Sequence, residues 1–218
     1  MEQTSTDTVR RWLTIIGLIV GPILATVAAI IIATVPESED MRESFTTMGE
    51  HANTLMLASL IETAGFAITA LALIAATSLV RARGGAVATI GAVMAGCGIA
   101  GFGLANGTGL AVTALATQPD ADSAYSFAKA ITGSGPLVSG SSIGWILELV
   151  GLIGFALVFL GLWRGRVTPV WPFVLCLVGS LANGAIPAPP TVLASTLLAL
   201  VAGTWAAVSI ARARREAA

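Results

Sequence analysis

Residues His51–Val80 read HANTLMLASLIETAGFAITALALIAATSLV. The ionisable side chains of this stretch are His51, at its start, and Glu62. A mostly apolar run of about 20 residues crosses a ~30 Å hydrocarbon layer, so the stretch reads as a transmembrane helix that carries an acid. A charge near the bilayer centre costs at least ~2.5 kcal/mol, which makes an intramembrane glutamate a functional lead. Ser141–Trp163 repeats the situation with Glu148.

Working outward, the 218-residue chain is 56% hydrophobic and 11% charged, against roughly 25% charged in soluble domains. Apolar runs recur at about 12–35, 52–80, 86–116, 141–163, 167–186 and 191–210, leaving no room for a separate soluble domain. The expectation is one membrane domain over residues 1–218, an all-α polytopic bundle of six transmembrane helices. The first run has 24 residues, too long for the 7–15-residue apolar region of a signal peptide, and reads as a span.

Charge asymmetry orients the spans. Arg10, Arg11, Arg81, Arg83, Arg164, Arg166, Arg212, Arg214 and Arg215 fall on the side holding both termini, while Arg42 and Lys129 fall on the other. Basic residues concentrate on the cytoplasmic side, so both termini are expected there. Ten of the eleven basic residues are Arg, and with the Ala and Gly content this suggests a GC-rich bacterial genome, hence the bacterial inner membrane. The lipid bilayer is the expected partner. Nothing points to nucleic acid.

Small residues and prolines shape the helices. Gly17–Gly21 and Gly103–Gly107 form G-x-x-x-G spacings that allow close helix approach, so the glycine-rich third span is expected at the packed centre. Pro22 predicts a kink, and Pro187, Pro189 and Pro190 a tight turn. Trp163 and Trp171 read as interfacial anchors. Residues 36–50 fit either a surface amphipathic helix, with Met41, Phe45 and Met48 on one face, or a solvated loop. Asp122 is expected to cap a short helix that has Phe127 and Ile131 on one face and ends at Gly133.

The polar groups are the functional leads. Glu62 lies nineteen residues before Arg81 and Glu148 sixteen before Arg164, about 28 and 24 Å along a helix. Both carboxyls therefore belong in the outer part of the bilayer. Small or polar residues share their faces: Ser59, Gly65 and Thr69 with Glu62, and Gly144 and Gly151 with Glu148. E-x-x-G recurs at Glu62 and Glu148, and LANG at 104–107 and 181–184. These matches are compatible with a duplicated hairpin or with chance, and they place Asn106 and Asn183 near the glutamates' level. His51 faces the same way as Glu62 but lies about 16 Å away along the axis, too far to share a metal. The candidate ligand- or ion-binding residues are thus Glu62, Glu148, Asn106, Asn183 and His51.

Other patterns carry no chemistry. Gly96-Cys97-Gly98-Ile99-Ala100-Gly101 lacks the strand–turn–helix setting of a dinucleotide fingerprint. Gly140-Ser141-Ser142-Ile143-Gly144 lacks that of a nucleophile elbow. Cys97 and Cys176 have no metal-ligand spacing and read as small buried filler. No catalytic residue, metal site or cofactor is expected.

In its acidic loop after the first span, and in Glu62 ahead of the short basic turn Arg81-Ala82-Arg83, the first half of the chain loosely resembles an uncharacterised class of bacterial six-span membrane proteins. The resemblance implies architecture and no activity. Three functions follow from the residues. The first is an integral membrane protein that binds or transports a small molecule or ion at an outward-facing polar cavity. The second is a non-catalytic scaffold or partner subunit that forms homo- or hetero-oligomers through its glycine-rich helices. An enzyme acting on lipid comes third. The packing alternative for the glutamates is a carboxyl capped by neighbouring groups.

Overall fold

The computed structural model describes residues 5–36, 38, 40–80, 83–133, 140–185 and 189–215. Arg81, Ala82 and Pro187, named above, lie outside the described residues. The described chain is all helical, in eight α-helices: α1 (Ser5–Ile32), α2 (Met41–Glu50), α3 (Ala52–Ala76), α4 (Gly85–Ala116), α5 (Ala121–Gly133), α6 (Gly140–Arg164), α7 (Trp171–Ala185) and α8 (Pro189–Arg215). Five of them, α1, α3, α4, α6 and α8, are long and apolar enough to cross a membrane. At 15 residues, α7 is shorter. It starts at Trp171, not at 167, because Pro169 disfavours helical backbone at the residue before it.

Apolar side chains cover the outside as well as the core. Leu60, Leu71 and Val93 are 60–66% exposed, and all five tryptophans are exposed, including Trp163 and Trp171. That is the surface a lipid-facing bundle presents. Inside, Leu18, Leu73, Val158, Leu162 and Ile210 pack from α1, α3, α6 and α8 into one cluster with Cys176 of α7. Cys97 faces outward, contrary to its reading as buried filler.

Glycine sets the closest contacts. In α1, Gly21 lies against α3, where a methyl group on it would sit 2.8 Å from the Gly65 carbonyl oxygen. The densest seam joins α4 to α6 in antiparallel register. A methyl on Gly98 would lie 2.5 Å from the Gly151 Cα, one on Gly91 2.7 Å from the Gly154 carbonyl oxygen, and one on Gly101 2.6 Å from the Glu148 nitrogen. The glycine-rich third span is central, as expected, but through another face. Gly103 and Gly107 have open space where a side chain would be.

Outside the long helices, residues 41–50 form a helix that packs onto α5. Phe45 is buried with Ala124 and Ala128, its ring edge-on to Tyr125 at 5.6 Å. Arg42 pairs with Asp122 and lies 5.7 Å from the Tyr125 ring centre. Asp122 is therefore occupied by this pair, and Asp120 caps α5, its carboxylate accepting the Ser123 amide at 3.2 Å. The inward face of α5 is Ala124 and Ala128, and Phe127 points outward. Hydrogen bonds from Ser123 hold the Asp120 carboxyl below its ordinary value of 3.8. A lowered folded-state pKa stabilises above the unfolded value and is lost as pH falls through the folded one. The α5 N-terminus should thus stay protected from amide exchange at neutral pH and fray only below about pH 4.

The first and last helices meet at one end of the bundle, where Arg11 of α1 donates to the Ile210 carbonyl oxygen of α8. Pro189 and Pro190 open α8, where missing amide hydrogens cost nothing.

Candidate functional site

Glu62 and Glu148 come together on one cavity, about 110 Å³, in the middle of the bundle. Every long helix and α7 contribute to its wall: Pro22 from α1, Glu62, Phe66 and Thr69 from α3, Phe102 from α4, Glu148 and Phe155 from α6, Ser180 and Asn183 from α7, and Ser195 and Thr196 from α8. The volume suits a few waters or one small organic ion. Glu148 reaches it because Gly101 lets the α6 backbone approach α4 at that level.

The chemistry of the lining is one-sided. Among the described residues no hydrogen bond or ion pair to a protein group engages either carboxyl, and no arginine, lysine or histidine lines the cavity. The hydroxyl protons are already used: Thr69 donates to the Gly65 carbonyl at 2.8 Å, Ser180 to Cys176 at 2.8 Å, Ser195 to Val192 at 2.8 Å and Thr196 to Leu193 at 2.9 Å. A hydroxyl whose proton is committed to its own helix offers only acceptor lone pairs. The cavity is thus rich in acceptors and poor in donors, with the Asn183 amide as the exception.

Aromatic rings close one side. Phe66 stacks on Phe102 with ring centres 4.6 Å apart and meets Phe155 at 5.1 Å. Phe66 follows Glu62 by one turn of α3, and Phe155 follows Glu148 by two turns of α6. Both steps lead toward the end of the bundle that holds Arg83 and Arg164.

The remaining candidates stand apart. Asn106 does not line the cavity. Its amide ties α4 to α3, donating to the Ser59 carbonyl at 3.1 Å and the Thr63 hydroxyl at 2.8 Å and accepting the Ser59 hydroxyl at 2.6 Å. Interhelical hydrogen bonds in membranes contribute about 0.6 kcal/mol each. Asn106→Leu should therefore cost about 1–2 kcal/mol, read as a lower Tm in detergent. His51 sits at the junction of α2 and α3, its Nδ1 3.1 Å from the Thr47 carbonyl oxygen, and is not part of the cavity wall.

Sequence reasoning missed the hydroxyls of α8 and the rings of Phe102 and Phe155. The i, i+4 spacing of Glu62 and Phe66 placed one ring on the carboxylate's face, but nothing in the sequence brings α8 alongside. Comparisons with protein-family models, curated proteins and solved structures found no match.

Proposed function

We propose that this chain is a six-span membrane protein that binds, and in doing so handles or transports, a small cation in its central cavity. The observation that carries the reading is the pair of carboxyls, from two helices, facing one cavity with no basic side chain in its wall among the described residues. Burying an unpaired carboxylate is costly, and a bound cation offsets that cost. The asymmetry of nine arginines against Arg42 and Lys129 supports a bacterial inner-membrane topology with both termini cytoplasmic. In that topology α2 and α5 lie outside, the glutamates sit nearer the outer end of their helices, and Phe66 and Phe155 follow them toward the cytoplasmic side. The site then faces outward.

The test is Glu62→Gln with Glu148→Gln, compared with wild type for cation-dependent thermal stability. At a hundredfold excess over Kd a ligand stabilises by about 2.7 kcal/mol. Methylammonium, sodium and potassium chlorides are the probes. Wild type should gain Tm with at least one of them and the double variant with none, while Asn106→Leu keeps the response. Equal responses in wild type and the double variant would overturn the reading.

A second reading, a docking subunit, draws on the open space at Gly103 and Gly107. It predicts that Gly103→Leu strips a partner or second copy from the protein in mild detergent. A monomeric wild type would count against it.

A further inference from the structure

We infer that the cation taken by this cavity is a protonated primary amine with a short apolar substituent, not a metal ion and not a quaternary ammonium. The inference rests on the cation-binding reading above and adds the substrate class. The cavity wall has two unlike components. Glu62, Glu148 and the acceptor oxygen of Thr196 present oxygen lone pairs. Phe66, Phe102 and Phe155 add a packed wall of rings.

A primary ammonium carries three N–H donors, which suit a lining that has acceptors to offer and almost no donors. A quaternary ammonium has the charge but no donor, so it leaves the carboxyl oxygens without hydrogen bonds. A bare metal ion makes no use of the ring wall, and among the described residues no three His, Cys, Asp or Glu side chains gather to hold one. The substituent on the amine fills the space against the rings, where burial of apolar surface is favourable and an ammonium near ring faces is attracted to them. A cavity of about 110 Å³ limits that substituent to a few carbon atoms or a single ring.

The experiment is a titration of the full-length protein in detergent with methyl-, ethyl-, propyl- and butylammonium chloride. Tetramethylammonium chloride, sodium chloride and 1-butanol are run beside them. Each buried methylene should lower Kd about three- to fourfold until the cavity is full. Tetramethylammonium and sodium should bind at least about tenfold more weakly than butylammonium, and 1-butanol not measurably. Phe155→Ala, checked for a monodisperse elution profile, should move the best chain length upward by one or two carbons. Should that variant not fold, the wild-type series alone decides.

A Kd that does not change with chain length, or sodium or tetramethylammonium binding as tightly as butylammonium, would overturn the primary-amine inference and leave the cation reading standing. Binding of 1-butanol as tight as butylammonium would overturn both, as would no response to any probe.

Discussion

Gly98→Leu should prevent the bundle from forming, whereas Gly103→Leu, five residues along the same helix, should leave it intact. At Gly98 the first added carbon already lies 2.5 Å from the Gly151 Cα, so α4 and α6 would have to separate along their whole seam. Backbone cannot yield as a flexible side chain can. Overpacking a core by a methylene or two costs about 1–3 kcal/mol, and four carbons wedged between two backbones exceed that. The loss should be more than about 4 kcal/mol, a range reached through only a few mechanisms. At Gly103 a side chain meets nothing within 4 Å, and replacing helical Gly recovers up to about 1 kcal/mol of helix propensity. The yield of monodisperse protein after detergent extraction separates the two. Similar yields would show that the α4–α6 register is wrong.

Phe45→Ala should detach α2 from α5 at a cost of about 3 kcal/mol, and Asp122→Asn should not. Phe45 is 7% exposed, and deleting a buried phenyl ring costs about 3–5 kcal/mol where the site cannot collapse. The Arg42–Asp122 pair looks like the stronger link, but its side chains are 64% and 79% exposed. Exposed pairs of this kind contribute about 0–1 kcal/mol. Amide exchange over 41–50 and 121–133 should quicken at least about a hundredfold in Phe45→Ala and less than about fivefold in Asp122→Asn. The reverse order would mean that charge, not the ring, fastens the two helices.

The helical elements were legible because apolar run length and a single period determine them. The α4–α6 seam was not. Gly103 and Gly107 satisfy the G-x-x-x-G spacing, yet the contact uses Gly84, Gly91 and Gly98 at seven-residue intervals, which meet Gly161, Gly154 and Gly151 of α6. A spacing within one helix does not say which partner covers it. The recurrence of the same interval in both helices was the available signal. The α5 cap was misplaced for a similar reason: Asp120 and Asp122 both suit the start of a helix, and the long-range pair with Arg42 takes one of them. At the candidate site, Glu62 and Glu148 stood out because charge is costly in hydrocarbon. Asn106 did not separate from Asn183, since both lie in the same LANG motif, and only the neighbours at Ser59 and Thr63 distinguish them.

The contact between Arg11 and Ile210 also sets a timetable. The two residues are 199 positions apart, and Gly203 of α8 rests against the Leu18 carbonyl on α1. At a synthesis rate of about 5–20 residues per second, the first helix waits about 10–40 s for the last. Ser195 and Thr196, which complete the cavity wall, arrive only with that last helix. Until then the two glutamates face lipid or an unfinished cleft, and a chain stopped before α8 should be handed to membrane proteases, not left to bind anything.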